Sequence, residues 1–200
     1  MEITSAVVGT MGNNAYLLTD AGEGLLIDAA DDPLALLALI GDTPVNTIVT
    51  THQHHDHVAA LKAVAEHTGA RLVAGAPDAD AIEGTAGVAI DERVWDGDAV
   101  RVGNVELEVI GLVGHTPGSI TLVHRSDDGR PTHLFVGDSL FPGGVGRTNT
   151  PEDFTSLLDD VTAKLFDRFA DDTVVHPGHG DPTTLGAERP HLSEWRERGW

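Results

Sequence analysis

Residues 47–61, "TIVTTHQHHDHVAAL", place four histidines and one aspartate within six positions, from His52 to His57. The cluster follows an apolar, β-branched run and precedes a stretch with helical spacing, so it occupies a strand-to-helix turn. In extended chain, residues i and i+2 point the same way, which lets His52 and His54 grip one ion. As the chain turns into the helix, Asp56 and His57 swing to another side and can reach a second ion. With 11 histidines among 200 residues, a His-x-His-x-Asp-His pattern is expected by accident only about 0.003 times. Its presence therefore asks for a chemical reason. His55 stands between the others and is expected to point away from the ion its neighbours reach.

Three more segments repeat the design of an apolar strand that ends in a metal-capable side chain. "VELEVIGL" runs into "VGHTPGS" with His115, "THLFV" into "GDSL" with Asp138, and "DDTVV" into "HPGHGD" with His179. Loops at strand ends can converge over a rigid sheet edge, where binding sites form. Taken singly, each residue has a plainer reading. His115 would be a turn residue bonding backbone, Asp138 an Asx turn or cap, and His179 a loop histidine. The first motif, however, demands partners. His67, His124, His133 and His191 lack such settings and read as surface or core residues, and His176 reads as structural.

Composition narrows the chemistry. There is no cysteine, so only imidazole and carboxylate remain to hold a metal. Twelve basic against 32 acidic side chains give a net charge of −20, which repels phosphate backbones and anionic lipid. Neither nucleic acid nor membrane is an expected partner. No run approaches the roughly 18 apolar residues of a membrane span. The N-terminus lacks the basic-then-apolar order of a signal peptide, so a cytoplasmic location is expected.

No repeat, low-complexity tract or linker divides the chain, and a single domain over residues 1–200 is expected. "ITSAVV", "AYLLT", "GLLIDA" and "NTIVTT" read as strands, "PLALLALI" as a helix started by Pro33, and residues 58–68 as a helix closed by Gly69. Further on, "AVRVGNVELEVIGL" reads as a hairpin, and "SITLVHR" and "PTHLFVG" as strands joined by the turn "SDDGR". Thr150, Pro151 and Asp153 open a long helix with apolar residues at helical spacing. "TVVH" is a last strand, and the tail carries a short helix. Strand runs with few helices between them favour two packed sheets with helices outside.

"THQHHDH", "GHTPGS", "GDSLF" and "PGHG", in that order, resemble the metallo-β-lactamase-fold hydrolases, most closely their glyoxalase II (hydroxyacylglutathione hydrolase)-like branch. The resemblance spans about residues 5–185. It implies an α/β (α+β) fold, a four-layer αββα sandwich with a dinuclear site between the sheets. By that pattern His52, His54 and His115 hold one divalent ion, Asp56, His57 and His179 a second, and Asp138 bridges them beside a hydroxide. Zinc is the first expectation, with iron or manganese as alternatives, and Asp56 and Asp138 are the carboxylates given a catalytic role. The β-lactamases proper lack the aspartate that Asp138 supplies, and the flavodiiron branch puts glutamate where His54 stands. Full glyoxalase II enzymes carry a helical C-terminal domain for glutathione; only about 20 residues follow "PGHG" here, so that domain and its thiol specificity are not expected.

Two divalent ions roughly 3.5–4 Å apart can lower the pKa of bridging water from 15.7 towards neutrality. The hydroxide then attacks an acyl carbonyl whose oxygen one metal polarises. A thiolate, with a thiol pKa near 8.5, leaves without a dedicated acid, whereas an amine would need one. A small-molecule acyl thioester is the expected substrate, with an ester or lactone next. Arg147, in "GGVGRTN", is the candidate for steering an anionic substrate; pairing with a surface acid is its alternative. The related persulfide dioxygenases carry GHTPG-like and GRT-like segments and use a single iron, which keeps an oxidoreductase reading open.

Overall fold

The computed structural model describes residues 1–126 and 129–199. Two six-stranded sheets form its centre. The first runs in sequence order: β1 (Glu2–Val8), β2 (Asn13–Asp20), β3 (Glu23–Ile27), β4 (Val45–Thr50), β5 (Arg71–Gly75) and β6 (Glu92–Val94). The second is built from β7 (Ala99–Val102), β8 (Val105–Leu112), β9 (Ser119–His124) and β10 (His133–Gly137), with two later strands added at one side. A two-stranded ribbon, β11 (Leu140–Phe141) and β12 (Gly144–Val145), precedes those additions, β13 (Val174–Pro177) and β14 (Thr183–Thr184). The order across the second sheet is β14-β13-β10-β9-β8-β7.

Strand alternation sorts the apolar side chains into three layers. Leu25, Ile27, Val49, Val73, Leu107, Val109, Ile120, Leu122 and Phe135 pack between the sheets. Leu26, Ile48, Leu72 and Ala74 point the other way. They pack under the helices α1 (Pro33–Ile40), α2 (Leu61–Thr68) and α3 (Ala79–Ala86) through Leu36, Leu61, Val64 and Ile82. On the outer face of the second sheet, Ile110, Val123, Leu134 and Val136 meet Phe154, Leu157, Leu158 and Val161 of α4 (Pro151–Val161). Trp195 seals that layer from the C-terminal helices α5 (Leu185–Glu188) and α6 (Leu192–Arg198). The result is the αββα sandwich.

Local signals explain most element ends. Thr150 accepts the Asp153 N–H and Pro151 occupies the first turn of α4, a cap with its donor satisfied. Gly69 closes α2 at φ 68°. The helix expected from residue 58 begins later. His55–His57 form a single 3₁₀ turn, with His57 N–H on His54 O and Val58 N–H on His55 O, and α2 proper starts at Leu61. In that tight turn the His57 ring stays 4.2 Å from the His52 ring, while Asp56 and His57 both reach His179. Residues 70–98 also hold more than the sequence pattern indicated. The strands β3 to β6 are mutually parallel and joined through α1, α2 and α3, so half of the first sheet is a βαβ repeat. The turn read at "SDDGR" includes Asp127 and Asp128, outside the described residues. Among the described residues no helix is long and apolar enough to cross a membrane.

Candidate metal centre

The strands β8, β10 and β13 run the same way, because β9 is antiparallel to β8 and β10 while β13 is parallel to β10. Their C-terminal ends therefore deliver the loops bearing His115, Asp138 and His179 to one edge of the sandwich. The loop after β4 joins them there, with Ile120 N–H bonded to Thr51 O across the two sheets at 2.9 Å. Gly178 N–H bonds Gly137 O at 2.7 Å and Asn14 N–H bonds Gly178 O at 2.7 Å, clamping the His179 loop between the sheets.

All seven side chains singled out in the sequence converge at this edge. His52, His54 and His115 form one donor group, His52, His57 and Asp138 another, and Asp56, His57 and His179 a third, with donor atoms within 4.8 Å in each. The His52 and His115 Nε2 atoms lie 3.3 Å apart, as do those of His57 and His179. Asp138 sits between the groups. Its Oδ1 is 3.4 Å from His57 Nε2, and its Oδ2 is 3.7 Å from His115 Nε2 and 3.5 Å from His179 Nε2. His179 Nε2 also lies 3.2 Å from Asp56 Oδ2. His55 is exposed, and His67 and His191 lie away from the cluster on α2 and beside α6.

The partners of the outer ring nitrogens fix the tautomers, and with them the fit to a cation. A carbonyl only accepts, so His115 Nδ1 carries the proton that it donates to Arg147 O at 2.6 Å. His179 Nδ1 likewise donates to Met11 O at 3.2 Å. Thr51 Oγ1 spends its hydrogen on Asp28 Oδ2 at 2.8 Å, so it accepts from His52 Nδ1 at 3.0 Å. His57 Nδ1 faces Asp28 Oδ2 at 2.8 Å. His52 and His115 thus turn Nε2 inward with no donor among the described residues to cover the lone pair, while His179 Nε2 meets Asn13 Nδ2 at 3.3 Å and His57 Nε2 faces Asp138 and His179. Lone pairs 3.3 Å apart repel unless a positive charge lies between them. Asp138 Oδ1 is buried with no hydrogen-bond partner among the described residues, a costly state that a cation would relieve.

Proton affinities point the same way. Burial lowers His52 well below the ordinary imidazole range, helped by the rings of His57, His115, His54 and His179, so it is a neutral donor. Burial also lowers His115, against the pull of Asp138. For His57 burial again disfavours the charged ring, but Asp28 and Asp138 outweigh it and push the pKa up to about 10. Burial disfavours the Asp138 carboxylate too, yet His57 holds it below its usual range. Around His57 and Asp138 the site therefore favours positive charge. Two glycines make the room: a Cβ at Gly178 would run into Asp138 Oδ1 and stand 2.6 Å from His57 Cε1, and one at Gly146 would strike the Asp138 carbonyl.

Known proteins share this fold. The sequence pattern of the metallo-beta-lactamase superfamily matches residues 8–179. The chain belongs to this superfamily. Among relatives, it is 37% identical over 171 residues to a hydroxyacylglutathione hydrolase from Polaromonas sp. (strain JS666), covering 84% of this chain and 62% of that one. The chain therefore spans less than two thirds of that relative. Hydroxyacylglutathione hydrolase GloC from Haemophilus influenzae is 27% identical, over 88% of this chain and 89% of the relative. Among solved structures, ETHE1 from Myxococcus xanthus superposes with a TM-score of 0.78 at 29% identity, covering 96% of this chain and 83% of the other.

Around the seven donors, this superfamily member relies on side chains that the motif reading passed over. Asp28 is 1% exposed, at φ 58°, and accepts from Thr51 N–H, Thr51 Oγ1 and His57 Nδ1. Asn13 donates to Asp56 Oδ2 at 2.8 Å, and with it His57 outweighs burial to hold the Asp56 carboxyl below its usual range. Asp78, fully buried, accepts from Gln53 N–H at 2.9 Å and Thr116 Oγ1 at 2.6 Å, binding the His52–His54 loop to the His115 loop. Asp28 carried a signal: it follows an apolar strand, as Asp138 does. Asp78 and Asn13 carried none. Thr116 thus acts through Asp78, whereas Ser139 Oγ is buried with no partner among the described residues. Arg147 is exposed, its carbonyl engaged by His115.

Proposed function

We propose that this protein is a dinuclear-metal hydrolase of acyl thioesters, resembling glyoxalase II in its chemistry. The observation that carries the reading is the Asp138 carboxylate, with one oxygen 3.4 Å from His57 Nε2 and the other 3.7 Å from His115 Nε2. A carboxylate so placed can share two cations between two imidazole groups. His52, His54 and His115 would hold one ion, Asp56, His57 and His179 the second, and Asp138 both. Zinc is the first choice for a set of imidazoles and carboxylates, with iron and manganese as alternatives. When bound, such a pair makes water nucleophilic near neutral pH and polarises an acyl oxygen.

The chain's own residues do the rest. Asp28, through His57, and the Arg147 carbonyl, through His115, keep both Nε2 atoms aimed inward. Asn13 orients Asp56 towards His179. A thiolate leaving group, unlike an amine, needs no acid to protonate it. The Arg147 guanidinium, exposed beside the His115 loop, would draw an anionic group on the acyl half of the substrate towards the edge.

Metal analysis of protein prepared without added metal, followed by a panel of thioesters, esters and lactones, tests this reading. Two ions per chain and thioester turnover abolished by chelation are expected. One iron per chain with persulfide-dependent oxygen uptake would replace it with the oxidoreductase reading.

A further inference from the structure

A cavity of about 220 Å³ opens against the His54 and His115 rings, walled by Gln53, Asn149, Asp153 and residues 113–117. Larger hollows lie at the opposite ends of the strands, beside Met1 and Thr43 or beside His124 and His133, away from the proposed ligands. The smaller one therefore adjoins the chemistry. That volume suits a short side arm of a substrate, below the roughly 300–1,000 Å³ of a whole ligand site.

Its lining is chemically one-sided. Among its lining residues Gln53 and Asn149 bear amides and Asp153 a carboxylate, and none is a lysine or arginine. Arg147 is two residues from Asn149, but it does not line the cavity. A carboxylate or phosphate arm placed here would meet Asp153 and no lysine or arginine, in a protein of net charge −20, leaving only the proposed ion on His54 and His115, whose open positions the thioester itself would take, to pair with it. An amide, hydroxyl or ammonium group would find both donors and acceptors.

We propose that this cavity is the subsite for the non-reacting arm of the thioester's thiol half, and that it selects arms that are amide-bearing or cationic over anionic ones. The proposal rests on the thioesterase reading and names its substrate class. Three acetyl thioesters separate the two: S-acetyl-N-acetylcysteamine (neutral amide), acetylthiocholine (cationic) and S-acetyl-3-mercaptopropionate (anionic). With metal-loaded protein, kcat/KM for the first two should exceed that for the third by about tenfold or more, the equivalent of one ion-pair-sized interaction, mainly through KM. Asp153→Lys should invert the preference between the cationic and anionic esters. Asn149→Asp, should the first variant not fold, should sharpen it. The S-methyl thioethers of the same three thiols give a second readout by calorimetry, free of turnover, and should rank in the same order. Equal affinity for all three thioethers, or a ranking that neither variant moves, overturns the subsite. Ranked thioether binding with no ester turned over would leave the subsite standing and sink the thioesterase reading.

Discussion

The Asp28 carboxylate lies 2.8 Å from Nδ1 of His57, and both side chains are sealed from solvent, at 1% and 0% exposure. The pair sits one layer behind the donor atoms and turns His57 Nε2 towards Asp138 and His179. Asp28 also holds Thr51 by its N–H and hydroxyl, and Thr51 in turn orients His52. One carboxylate therefore aims a ligand of each proposed ion.

Asp28→Asn should keep the side-chain volume but set an amide N–H against a donor at His57 or Thr51. Metal affinity should fall by about 10–100-fold, as when such supporting partners are lost elsewhere. Breaking a buried charged pair should also cost the metal-free fold about 3 kcal/mol. Competition titration with a metal chelator and a urea midpoint measure the two effects. Wild-type affinity in the variant would show that His57 is not aimed by Asp28.

Asp138→Asn should bind one ion instead of two and lose most thioester turnover, because bridging needs an anion and Asp138 Oδ1 is buried with no hydrogen-bond partner among the described residues. Circular dichroism should be unchanged. Two ions and full rate in that variant would contradict the shared-carboxylate arrangement. His55→Ala is the matched control: its ring is exposed on the 3₁₀ turn, and its metal content and rate should equal wild type.

The sequence was most legible where chemistry is local. The His52–His57 cluster and the three strand-end motifs named all seven converging side chains, because imidazoles and carboxylates in tight turns stand out against ordinary composition. Layering was legible too, since β strands alternate their apolar residues while α4 spaces Phe154, Leu157, Leu158 and Val161 helically. Asp78 was hidden because its meaning is tertiary: its partners Gln53 and Thr116 lie 25 and 38 positions away. The late start of α2 was hidden because 3₁₀ and α turns share apolar spacing over so few residues. The short α3, with Gly84 inside it and one polar face, gave too weak a period to read.

Gly178→Ala should damage the centre while sparing the fold. The added methyl would collide with Asp138 Oδ1 and crowd His57 Cε1, and neither can retreat, since His57 is held by Asp28 and Asp138 lies at the end of a central strand. Steric misfits of this kind cost about 1–3 kcal/mol. Weaker metal binding is expected, with the thermal transition of the metal-free protein lowered by roughly 2–12 °C, at about 2–4 °C per kcal/mol. A variant that binds two ions with wild-type affinity would show that the Asp138 carboxylate has more freedom than its packing suggests.

Acid sensitivity should have a source outside the metal centre. His176 stacks on Phe135 at a ring distance of 4.8 Å and meets His133 Nδ1 through its Nε2 at 2.9 Å. Burial first, and then the neighbouring His133, push its pKa down to about 4. The folded state thus keeps His176 neutral while the unfolded chain takes up a proton below its ordinary value of 6.5. Because the unfolded state binds more protons in that window, stability rises with pH. The contribution is fully present above pH 6.5 and is lost as pH falls towards 4, amounting to at most about 3 kcal/mol. Urea midpoints of metal-free wild type and His176→Gln, compared at pH 7.5, 5.5 and 4.5, isolate it from the titration of the other histidines. The wild type should lose more stability than the variant over that descent. Parallel curves would mean that His176 takes up its proton in the folded protein as readily as in the unfolded chain.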